Sequence, residues 1–175
     1  PAIDAMIALG RQVDTPEQVR SVKLKVNPAA VVITGVVNPG TGLKSKFSLA
    51  HAAAVAFIDR AAGLMQFSDD RAKRPDVSAF ARLVEVSTDP DLGRDQAEAS
   101  VELVTGEVVS HRVEHATGTA ANPMSDDALI AKFRSNVIPV LGEERTNALQ
   151  DLIWDLEKLD DVSVLVRAAM KEQAD

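Results

Sequence analysis

From Leu49 to Ile58 the chain reads LAHAAAVAFI, a run with no charged side chain and one polar one, His51. An amphipathic surface helix carries a single apolar stripe and a polar face. This run has no polar face, so as a helix it has to be surrounded on every side, and the rest of the chain has to be built around it. Ser48 has the chemistry of an N-cap, and the helix is read from there to about Ala62, with Gly63 as its stop. His51 then falls in the first turn. Unpaired backbone N–H groups and the positive end of the helix dipole favour an anion there, and Lys44 and Lys46 lead into the same spot.

A chain of 175 residues is long enough to bury a substantial core and short enough to be read as one domain, residues 1–175. With aromatic residues at 3% and no tyrosine, that core has to be aliphatic. A formal net charge of -7 argues against a broad nucleic-acid or anionic-membrane surface, which needs a positive footprint. The absence of cysteine removes disulfides, thiol catalysis and cysteine-ligated iron–sulfur clusters, and is compatible with the cytoplasm. No apolar run approaches the ~20 residues of a membrane span. The chain opens at Pro1 inside a helical pattern, so it reads as a piece of a longer protein.

Ile3, Met6, Ile7 and Leu9 mark a short helix ended by Gly10. Val22, Leu24 and Val26 alternate with Ser21, Lys23 and Lys25, as in a strand with one wet face. The run AAVVITGVV fits a short helix or a buried strand, with helix preferred, and NPGTGLKSK reads as a glycine-rich loop. The segment DDRAKRPD reads as a solvated loop, the competing reading being that Arg71, Lys73 and Arg74 reach toward an anion. A short helix from Val77 to Leu83 comes next, then a strand ended by Asp89-Pro90. Ala97–Val104 and Val108–Ala116 form a hairpin around Thr105-Gly106. Beyond Asn122-Pro123 the chain is helical. Ser125 caps a helix whose buried stripe is Leu129, Ile130, Phe133, Val137 and Leu141, and two more amphipathic helices run over Leu149–Leu159 and Val162–Ala169. The pattern predicts an α+β two-layer sandwich with a small, mainly antiparallel sheet.

His111-Arg112-Val113-Glu114-His115 spells the H-x-x-E-H string of one zinc-peptidase class, which requires a helix. On a strand, residues four apart lie about 13 Å from one another, too far for one metal, so no metal site is expected. Gly40-Thr41-Gly42 lacks the strand and the Gly-Lys-Ser/Thr ending of a phosphate loop and reads as a flexible hinge. Lys46, Ser48 and His51 make the better constellation. A lysine beside a helix N-terminus suits a carboxylate or phosphate, and burial with positive surroundings would keep the imidazole neutral and able to act as a base. The plainer alternative is a core histidine whose nitrogens are satisfied by backbone groups.

Lys46-Phe47-Ser48-Leu49-Ala50-His51, followed by an alanine-rich helix, resembles a segment of the MmgE/PrpD family. PAIDA, VTGEVV, GTAANPMSDDALIAKF and LEKLDDVSVL are similar to successive segments of the same family, so the resemblance covers nearly the whole chain. It implies the C-terminal α+β lid of longer proteins whose large all-helical N-terminal domain is absent here. It also implies a site without metal or cofactor that moves a proton next to a carboxylate of a small polycarboxylate, as in 2-methylcitrate dehydratase, cis-aconitate decarboxylase and iminodisuccinate epimerase. In that frame Lys46 and His51 are the catalytic contribution and Lys44, Lys46 and Ser48 bind substrate. The N-terminal domain of the same protein and a second copy in a homodimer are the implied partners. Many relatives carry tyrosine where His51 stands, which leaves the reaction open among dehydration, decarboxylation and epimerisation. A binding or assembly module without chemistry is the alternative.

Overall fold

A computed structural model describes residues 1–170, which divide into two compact units, Pro1–Pro123 and a second that begins at Met124. The first unit holds α1 (Ala2–Gly10), β1 (Val19–Val26), α2 (Pro28–Thr34), α3 (Gly42–Ser45), α4 (Leu49–Asp59), α5 (Asp69–Ala72), α6 (Pro75–Ala81), β2 (Val84–Thr88), β3 (Ala97–Leu103) and β4 (Val108–Val113). The strands form one sheet in the order β2-β1-β3-β4. β1 runs parallel to β2 and antiparallel to β3, and β3 pairs antiparallel with β4. This is the expected α+β arrangement with a mostly antiparallel sheet. The parallel pair follows from the long connection from β1 to β2 through α2–α6, because parallel neighbours need a crossover.

Register explains which face is wet. Val22 sits between Val84 and Val101, and Leu24 between Val86 and Ala99, so the apolar set of β1 meets apolar partners on both sides. Lys23, Lys25, Glu98 and Arg112 point the other way, where Lys25 Nζ lies 3.1 Å from Glu98. α1 and α4 cover the apolar face: α1 packs on α4, β3 and β4, and α4 packs also on α6 and β2. No residue of α4 is exposed, and Ala53, Ala54 and Val55 are fully buried, as a helix without a polar face requires. Phe57 stacks on Phe80 with ring centroids 4.7 Å apart.

Several boundaries differ from the sequence reading. α4 ends at Asp59, with Arg60 in the left-handed region at φ 55°, rather than near Ala62. Arg60 Nε donates to the Gly10 carbonyl at 2.9 Å, an anchor between two helix ends that hydrophobic periodicity does not encode. The supposed loop before Ser48 contains α3, capped by Thr41. Gly42 is no hinge: it is buried, and a Cβ there would run into the Phe67 carbonyl oxygen. DDRAKRPD is largely exposed, as expected of a solvated segment, but it is not simply a loop: Ser68 caps α5, and the half-buried Arg71 forms ion pairs with Asp59 and Asp76.

The second unit holds α7 (Asp126–Leu141), α8 (Glu143–Trp154) and α9 (Ser163–Ala169). Ser125 caps α7 as expected, its Oγ accepting from the Ala128 N–H at 3.2 Å. The predicted stripe on α7 is not buried: Leu129 is 45% exposed, and Ile130, Phe133, Val137 and Leu141 are half-buried. Three helices present too little surface to enclose it. The helix read over Leu149–Leu159 breaks after Trp154, and Leu156–Lys158 forms a separate 3₁₀ turn. Among the described residues, no helix is long and apolar enough to cross a membrane.

Candidate active site

Ser48 is 1% exposed, and its Oγ accepts the His51 backbone N–H at 3.3 Å, satisfying one of the free donors that open α4. This cap fixes where the helix begins and places His51 in its first turn. The imidazole is 2% exposed and rests 5.6 Å from the Phe67 ring, centroid to centroid. Its Nε2 lies 2.9 Å from the Gln66 carbonyl oxygen. A carbonyl only accepts, so Nε2 carries the proton, and in the neutral ring Nδ1 holds the lone pair. Burial lowers the pKa below the usual 6.5 by disfavouring the cation, the Gln66 carbonyl opposes this, the Arg71 charge lowers it further and Asp59 pulls it up. At neutral pH the ring is therefore uncharged, the form a proton acceptor needs.

The Gln66 carbonyl belongs to the 3₁₀ turn Leu64–Phe67, and the Gln66 side chain ties that turn down. Its Oε1 accepts from the Gly63 N–H at 3.0 Å and its Nε2 donates to Asp59 Oδ2 at 3.1 Å. Asp59 in turn receives two bonds from Arg71, from Nε at 3.1 Å and from the second terminal nitrogen. The remaining terminal nitrogen of Arg71 reaches Asp76 at 3.0 Å.

His51 lines a cavity of about 780 Å³ bounded by α2, the loop after it, α4, α6 and β2. Its walls include Thr34, Asn38 and Ser78, two cations, Lys73 and Arg82, and no carboxylate. Neither Lys73 nor Arg82 has a side-chain ion pair among the described residues. Of the three cations read as possible anion ligands, Lys73 alone lines this cavity, since Arg71 is held by Asp59 and Asp76 and Arg74 by Asp76.

The other residues expected at the site are distributed around it. Lys46 is exposed and lines a second cavity, of about 260 Å³, together with Ile3, Phe67 and Arg94. Ser48 and Leu49 line both cavities and form the partition between Lys46 and His51. Lys44 is exposed on α3 and lines neither. The cap occupies an acceptor position of Ser48, leaving its hydroxyl proton to donate. His111 sits on β4 and His115 beyond its end, where Nδ1 pairs with Asp95 at 2.7 Å.

Gln66, Asp59 and Arg82 were not singled out in the sequence as site residues, and Arg71 and Lys73 entered only through the competing interpretation of DDRAKRPD. The four charged ones stand in mixed-sign surroundings that resemble an ordinary surface, and Gln66 acts through its backbone. The other available signal was Asp59-Arg60, charges that interrupt an apolar helix.

The MmgE/PrpD C-terminal domain, as a sequence family, matches residues 1–158. Cis-aconitate decarboxylase of Aspergillus terreus is 29% identical over 135 residues, which cover 73% of this chain and 27% of that protein. The protein of the same name from Mus musculus is 25% identical over 173 residues, covering 94% of the chain and 36% of the relative. That from Homo sapiens is 27% identical over 126 residues, covering 70% and 26%. The chain thus spans about a quarter to a third of the length of these curated relatives.

Proposed function

Since the chain belongs to the MmgE/PrpD family as its C-terminal domain, we propose that it is the lid of a lyase that moves a proton next to a carboxylate of a small polycarboxylate, with His51 in the site. One observation carries this reading: a buried, neutral imidazole in the wall of a cavity that holds Lys73 and Arg82 and no carboxylate. A cavity of that kind favours a polyanion and gives its acidic carbon a base. In this reading the proton next to a carboxylate passes to Nδ1 of His51, and the electrons of the broken C–H bond delocalise into the carboxylate as an enolate. Lys73 and Arg82 offset the charge, and Lys46 approaches from the neighbouring cavity. The enolate then expels a β-hydroxyl, which leaves as water with the proton from His51, or it is reprotonated at carbon.

In a decarboxylation the broken bond is the C–C bond to one carboxylate, which leaves as CO2; the electron pair delocalises into a remaining conjugated carboxylate, and carbon takes up a proton from solvent relayed through Nδ1 of His51. The named relatives make cis-aconitate the first substrate to test, followed by 2-methylcitrate. The base and the cations are side chains, so the reading requires no cofactor. The N-terminal domain of the same protein supplies the remaining acid–base groups, and the 175 residues alone have negligible turnover. The exposed apolar side chains Val32, Ile33, Val37, Leu43, Leu64 and Met65 give that domain, or the second copy of a cytoplasmic homodimer, a surface to cover.

Incubation of the full-length protein with each acid in deuterium oxide tests the reading. One acid should be consumed, with solvent deuterium appearing on a carbon next to a carboxylate in product or recovered substrate. No consumption and no deuterium with either acid would contradict it.

A further inference from the structure

We propose that the chain Arg71–Asp59–Gln66 is a positioning device that holds the His51 proton on Nε2 and so assigns the lone pair to Nδ1. The inference rests on the reading of His51 as a proton-transfer group. Its support is a continuous set of contacts with one direction of constraint. Gln66 offers His51 only a carbonyl oxygen, at 2.9 Å, so that contact is lost if Nε2 gives up its proton. The carbonyl lies in a short turn between a glycine, Gly63, and α5, and such a turn has little rigidity of its own.

Side chains supply the rigidity. Gln66 closes the turn on itself through the Gly63 N–H and ties it to the C-terminal end of α4 through Asp59, a residue of the helix that carries His51. Asp59 would be free to rotate were it not gripped through both oxygens by Arg71, and Arg71 is itself braced by Asp76 at the start of α6. The planar guanidinium matches a carboxylate at two points, which fixes orientation as well as distance. Arg71 is only 15% exposed and Asp59 20%, so the pair is shielded from water and holds its geometry. On the opposite side, Gly42 is pressed against Phe67 and its N–H donates to Asp69 Oδ1 at 2.6 Å, closing the frame around the turn. The guanidinium and both carboxylates are thus bonded within the protein, and their arrangement serves the ring. An imidazole whose second nitrogen is held in this way keeps one tautomer and one orientation.

The test uses ¹⁵N-histidine-labelled full-length protein, with the His51 signal assigned by its loss in His51→Asn. In the parent protein the imidazole nitrogens should report the Nε2–H tautomer. Gln66→Ala leaves the Arg71–Asp59 pair in place and frees the turn, so a substantial Nδ1–H fraction should appear, and kcat should fall by about tenfold or more with KM nearly constant. Asp59→Asn keeps the shape and weakens the grip; it should shift the tautomer the same way, and it carries the test if Gln66→Ala does not fold. A parent ring in the Nδ1–H form, or an unchanged Nε2–H signal in both folded variants, overturns the proposal. The tautomer readout is independent of turnover. A shifted tautomer beside undiminished activity in His51→Asn would sink the catalytic reading while leaving the positioning device standing.

Discussion

His51 joins two properties that usually exclude one another, burial and a titratable ring, and the local bonds show how it is accommodated. The ring is neutral in the folded protein, whereas the unfolded chain binds a proton below about pH 6.5. Stability contributed by this residue is therefore complete above pH 6.5 and declines as the pH falls toward the lowered native value. Chemical denaturation from pH 7.5 to 5 should show the midpoint dropping in the parent protein and dropping less in His51→Asn. Asp76, held at about 2 first by the Arg74 hydrogen bond and also by Arg71, against the opposing effect of burial, weakens the fold only below its ordinary 3.8, so the two windows separate. At the cavity, Lys73→Ala and Arg82→Ala should each raise KM for a polycarboxylate about two- to fivefold, since exposed charges contribute about 0.5–1 kcal/mol. Steady-state kinetics on the two variants measures this directly.

At the scale of elements, α4 is the organising piece, and its contacts make strong demands. Phe57, buried and stacked on Phe80, should cost about 3–5 kcal/mol when replaced by alanine, read as a loss in unfolding free energy. Gly42→Ala should push the Phe67 carbonyl away and disturb the turn that holds His51, lowering both the melting temperature and kcat. The buried helix, its Ser48 cap, the strand alternation of β1 and β3 and the Thr105-Gly106 turn were legible in the sequence because each follows from local periodicity or capping chemistry. The end of α4 at Arg60, the helical turn of α3 and the grip of Arg71 on Asp59 were not. They depend on partners distant in sequence, such as Gly10 for Arg60 and Phe67–Asp69 for Gly42. The site divides in the same way: His51 and Ser48 stand out as a polar pair at the tip of an apolar helix, while Gln66 contributes a carbonyl that no side-chain pattern can reveal.

For the whole molecule, the match to the similar decarboxylases covers about a quarter to a third of their length. Its first unit leaves Val32 at 86% and Val37 at 80% exposure, and its second leaves Leu129 at 45%. Apolar surface of this kind fits a domain that works against another body, as proposed for the N-terminal domain or a second copy. The proposed chemistry as a whole depends on His51. The most direct measurement is turnover of cis-aconitate and 2-methylcitrate by the full-length protein and its His51→Asn variant, with folding checked by circular dichroism. In the variant kcat should fall by about 10²- to 10⁴-fold with KM little altered, the range expected for loss of a positioned base or acid. A folded variant that turns over substrate at the parent rate would contradict it and leave His51 a residue of the core.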